Sequence, residues 1–89
     1  MAHFDMRSME SAAVEGRLDA GEAFFRLGMM CSLGVETAPD LVSAHKWFNI
    51  AALKGYRDAA RYRQEVAAEM SAAEIASAQR AAREWLTVH

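Results

Sequence analysis

The sequence predicts an all-α protein of about five helices, folded as antiparallel hairpins stacked into a short solenoid. Three observations carry that expectation. Apolar and small residues recur at three- and four-residue spacings along most of the chain, the period of one helix face. Gly16, Gly34 and Gly55 each follow such a pattern, where a helix C-terminus wants a residue at positive φ. Strand signals are poor, because β-branched residues are few and no segment sustains an alternation.

The first helical pattern runs from about Asp5 to Glu15 and puts Met6, Met9, Ala12 and Ala13 on one side. The second runs from about Asp19 to Leu33, with Ala20, Ala23, Phe24, Leu27, Gly28 and Cys31 on one face. A third begins near Asp40 and ends before Gly55, aligning Leu41, Ala44, Phe48, Ala51 and Ala52 with Trp47 beside them. Asp40, directly after the single proline, Pro39, suits a helix start, where a carboxylate meets free amides and the positive dipole end. The fourth runs from about Asp58 to Met70, with Ala59, Tyr62, Val66 and Met70 inward. The fifth opens on Ser71-Ala72-Ala73-Glu74, a capping-box pattern, and continues as a stripe of Ile75, Ala78, Ala82, Trp85 and Leu86. Short connections imply antiparallel neighbours.

The chain also repeats itself. Ala12-Ala13-Val14-Glu15-Gly16-Arg17-Leu18-Asp19-Ala20 aligns with Ala51-Ala52-Leu53-Lys54-Gly55-Tyr56-Arg57-Asp58-Ala59 at an offset of 39 residues. Both copies fall at a junction between helical patterns. The stretch containing Leu27-Gly28, Gly34, Asp40, Ala44, Trp47-Phe48, Ala51-Ala52, Gly55 and Ala59 resembles the Sel-one-like repeat family, a branch of the tetratricopeptide-like α/α repeats. The stretch from Met70 to Leu86 looks like the closing helix of short bacterial members. Cys31 stands where that family prefers tyrosine, Glu36 replaces a second loop glycine, and Val66-Ala67 replaces a Leu-Gly pair. The resemblance implies one domain over residues 1–89, with an N-terminal half-repeat helix over about 5–17. A complete repeat over 19–55 follows, then a degenerate repeat with a capping helix over 57–89. It further implies an adaptor or regulator working in protein complexes.

Composition narrows the function classes. The formal charge is −2 and the isoelectric point about 5.9, which argues against a nucleic-acid partner. Charge is uneven: residues 1–40 hold seven acids and three bases, whereas residues 41–89 hold five acids and seven bases. That asymmetry would favour a homo-oligomer with unlike halves in contact. One cysteine permits no internal disulfide, and neither a signal peptide nor an 18-residue apolar run is visible, so a cytoplasmic protein without membrane contact is expected.

No catalytic, cofactor-binding or metal-binding residue is expected, and no small-molecule substrate. His3, His45 and His89 are scattered, and Cys31 with His45 would supply two metal ligands where three or four are needed. Glu65 and Glu69 lie four apart beside Arg61, the pattern of a solvated helix face. Lys46, Lys54, Arg57, Arg61 and Arg63, interleaved with Tyr56 and Tyr62, admit a nucleic-acid surface or a patch for an acidic protein. The repeat core is expected in Leu27, Gly28, Ala44, Trp47, Phe48, Ala51, Ala52, Gly55 and Ala59. Repeat arrays leave their end faces unburied. The candidate protein contacts are therefore the terminal residues Phe4, Met6, Met9, Trp85 and Leu86, with a protein as the expected partner.

Overall fold

Asp40 shows how local chemistry starts the helices. In a computed structural model that describes residues 6–16, 19–35 and 38–89, Met6 without its side chain, the Asp40 carboxylate accepts the Ser43 amide at 3.0 Å and the Ser43 hydroxyl at 2.7 Å. The Ser43 amide, followed by the Ser43 hydroxyl, holds the Asp40 carboxyl below the ordinary carboxylate range. Asp19 accepts the Glu22 amide in the same way at 3.0 Å. Ser71 and Glu74 form the reciprocal capping box, with bonds of 3.1 and 2.8 Å.

Five helices result: α1 (Met6–Val14), α2 (Ala20–Leu33), α3 (Leu41–Leu53), α4 (Asp58–Ala67) and α5 (Ala72–Val88). The described residues contain no strand. The three glycines expected to end helices all have positive φ, 77° at Gly16, 74° at Gly34 and 101° at Gly55. At Gly34 space matters as much as φ, because a Cβ there would lie 2.7 Å from Pro39 Cδ.

The central helix is α3, which packs against α2, α4 and α5, while α1 packs on α2. The α2–α3 pair is the most intimate. Gly28 makes it so: a Cβ at this position would lie 2.5 Å from the Phe48 ring, so the ring rests directly on the α2 backbone. Buried Ala23 and Ala44 keep the two helices close. The largest fully buried side chains are Phe24, Leu27, Phe48 and Ile50. Gly21, which the sequence reading passed over, has a similar role, because a Cβ there would press within 3.2 Å of Lys54 O and Tyr56 Cβ.

Two expectations need correction. The fourth helix was expected to reach Met70 and form a hairpin with the fifth. Instead α4 ends at Ala67, and residues 68–70 form a turn closed by Glu69 N–H donating to Val66 O and Met70 N–H donating to Ala67 O, both at 3.0 Å. Beyond it, α5 makes its close backbone approach to α3 and not to α4. The fully buried Ala78 and Ala82 permit that approach, and Trp85 meets Trp47 across the same interface. The second concerns α1, whose Met6 and Met9 read from sequence about equally as interface or as packing. Met9, Ala12 and Ala13 are all buried, with Met9 only 6% exposed, so this helix is part of the core.

No helix among the described residues is long and apolar enough to cross a membrane.

Candidate functional site

Two consecutive residues of α2, Phe24 and Phe25, point about 100° apart around the helix and anchor two aromatic clusters. Phe24 stacks on Trp47 with ring centroids 5.5 Å apart and planes 2° from parallel. Trp85 of α5 sets its edge against both, at 5.0 Å from Phe24 and 5.6 Å from Trp47. The Trp85 indole N–H then donates to the Glu10 carboxylate of α1 at 2.6 Å. His89 stacks on the other side of Trp85 at 4.1 Å. In this cluster, to which α1, α2, α3 and α5 all contribute, Phe24 and Trp47 are buried and Trp85 is half-buried.

The second cluster is open. Phe25 stacks on Tyr56 at 4.5 Å, meets Tyr62 edge-on at 5.0 Å and lies 5.7 Å from Phe48. Phe25, Tyr56 and Tyr62 all keep partial exposure. Beyond Phe48 and Tyr62 the surface dips into a groove of about 490 Å³ between the C-terminal half of α2, the start of α3 and α4. Buried Phe48 and Val66 form its floor, and half-buried Met29 and Leu41 its sides. Glu65 on α4 and Glu69 in the turn after it stand exposed on one rim, and Pro39 and Ser32 close the opposite side. The Ser32 hydroxyl already donates to Met29 O at 3.0 Å.

The expected site residues divide as follows. Phe4 lies outside the described residues, as does the side chain of Met6. Met9, a candidate contact at the sequence level, is core: its side chain fills space between helices and is withdrawn from any partner of the folded chain. Trp85 and Leu86 are half-buried and pack on the core as a cap. The repeat residues Leu27, Gly28, Ala44, Trp47, Phe48, Ala51 and Ala59 are buried. Ala52 is half-buried, and Gly55 lies exposed in the turn that its φ requires.

Sequence reasoning missed the groove, although α4 carried the signal. Tyr62, Glu65, Val66 and Glu69 follow i, i+3, i+4, i+7, which puts two acids along the edge of an apolar stripe. A wholly solvated acid pair would sit opposite the stripe.

The other chemistry-bearing groups are dispersed. His45 is 3% exposed, and its Nδ1 has no hydrogen-bond partner among the described residues. Burial, and secondarily the Arg63 charge, push its pKa down, so the ring is held neutral. Cys31 is buried. No group of three or more His, Cys, Asp or Glu able to hold a metal occurs among the described residues. Of the basic stretch, Arg63 donates to Asn49, Arg61 lies over the Tyr62 ring and Lys46 over the Trp47 ring. These three bases attend different neighbours.

No family model, no curated protein and no solved structure matches this chain.

Proposed function

We propose that this chain is a non-enzymatic protein-interaction module, a small adaptor or regulatory subunit of tetratricopeptide-like type akin to the Sel-one-like repeats. It binds a protein partner through helix faces, in a cytoplasmic setting. The observation that carries this reading is the groove beside the open aromatic cluster. A floor of Phe48 and Val66 next to exposed carboxylates matches the apolar centre and polar rim of a recognition surface. Helix-lined grooves of this kind commonly take a peptide or a helix from another protein.

The reading is tested by crosslinking the tagged chain in its native cell, capturing it and reading the products by mass spectrometry. One dominant foreign protein, crosslinked to defined positions on the helices, is the expected result. Recovery of this chain alone overturns the adaptor reading in favour of a self-assembling structural module. The charge asymmetry between the two halves is the specific observation behind that second reading.

A further inference from the structure

We infer that the groove between α2, α3 and α4 takes a short amphipathic segment of another protein, one that carries an apolar anchor beside one or two basic residues. The inference rests on the protein-interaction reading and names the chemistry of the partner.

The apolar part of the argument is geometric. About 490 Å³ lies over Phe48 and Val66, within the range of roughly 300–1,000 Å³ typical of ligand clefts. That is room for a few side chains and not for a whole domain. A small metabolite would need convergent polar groups to orient it. The groove offers few, since the Ser32 hydroxyl is already committed to Met29 O. An aliphatic or aromatic side chain needs none.

The electrostatic part is the one-sided rim. Glu65 near the end of α4 and Glu69 in the turn that follows it line the same wall, and neither has an ion-pair partner among the described residues. Met29, Leu41 and Ser32, across the groove, carry no charge. Arg61, one turn before Glu65, lies over the groove-lining Tyr62 ring at 5.2 Å, so two acids stand against one base on this side. A ligand seated on Phe48 therefore meets two carboxylates spaced to receive Lys or Arg side chains from one segment. The same carboxylates repel an acidic peptide or a phosphate backbone.

This chain holds a rival occupant. The last residue of α3, Leu53, is exposed, and exposed Lys54 and Arg57 follow it. A second copy could offer that stretch to the groove. Such a contact joins unlike surfaces and propagates head to tail instead of closing.

The test uses the full chain, immobilised and panned against random peptides displayed on phage. Enriched sequences are then made with a fluorescent label and titrated by anisotropy. Wild type is expected to enrich peptides with Lys or Arg close to Leu, Ile, Phe or Met, and their affinity should fall as salt rises. The double variant Glu65→Lys/Glu69→Lys should bind those peptides roughly tenfold more weakly and select acid-flanked peptides instead. Both positions are exposed, so its thermal midpoint should match wild type, which separates lost binding from lost folding. No enrichment, enrichment indifferent to charge, or an unchanged preference in the double variant overturns the inference. So does head-to-tail association in sedimentation that the double variant abolishes, because the occupant is then a second copy. Failure of the underlying reading has a different signature: native capture returns only this chain, whatever the peptides do. A foreign protein crosslinked only to α1 and α5 leaves that reading standing and removes this one.

Discussion

The two aromatic clusters start from neighbouring residues and end in opposite states. Around Phe24 the Phe24 and Trp47 rings are buried with Trp85 half-buried against them, and the Trp85–Glu10 hydrogen bond joins residues 75 positions apart in sequence. Around Phe25 they stay partly open, because the chain turns after Ala67 and α5 makes its close approach to α3 and not to α4. A small all-helical chain has limited area to bury. Here the long-range closure is concentrated on one side of α2, and the other side is left with a groove. The difference teaches that deeply buried and partly exposed rings divide between two faces of one helix about 100° apart.

The sharpest way to break that comparison is to truncate one ring in each cluster. Trp47→Ala should cost about 3–5 kcal/mol, read as a shifted midpoint in urea melts. Tyr62→Ala, half-buried on the groove wall, should cost only about 1–2 kcal/mol. Equal losses would mean that both clusters hold the fold alike. Equal midpoints for Trp47→Ala and wild type would remove Trp47 from the core.

Next in size is Gly28→Ala. The added Cβ meets the Phe48 ring, so overpacking should cost about 1–3 kcal/mol. Phe48→Leu in the same chain should recover part of the loss, and a double-mutant cycle without coupling would show that the ring does not rest on this glycine.

The hydrogen bond that closes the first cluster is smaller. Glu10→Ala and Trp85→Phe should each lose about 1 kcal/mol, and together little more than either alone. Full additivity in thermal melts would mean that α1 and α5 are not joined there.

The smallest effect is the pH response of His45. Its folded pKa lies below the unfolded value of about 6.5, so the unfolded chain takes up a proton first as the pH falls. Stability is complete above about pH 6.5 and declines as the pH drops through the folded pKa. Asp40, also lowered, contributes its loss only near and below about pH 4. His45→Leu should flatten the decline that sets in below about pH 6.5. An unchanged slope would place the sensitive group elsewhere.

Much of this architecture was legible from residues alone, and the reasons are local. Asp40, the Ser71–Glu74 box and the glycines at 34 and 55 act through bonds or dihedrals a few residues away, so spacing suffices to find them. The Gly28–Phe48 contact was legible as a need for closeness, though not as a ring seated on backbone. Met9 illustrates the limit. Its place on one face of a short helix is readable, but whether that face meets solvent or core depends on where α2 lies. The groove is another case: Glu65 and Glu69 look like a solvated pair until α2 and α3 supply an apolar floor beside them.

The sequence by itself determined that this chain is helical, where its helices start, where all but α4 stop, and which small residues allow close packing. Those properties follow from propensity, capping and period, all set within a turn or two of the chain. Only the tertiary structure decided that α5 covers α3 and not α4, that Met9 is interior, and that an acidic-rimmed groove remains between α2, α3 and α4. Those outcomes turn on which of several compatible apolar faces meet, a choice made by burial summed over distant residues, and no local pattern encodes that sum.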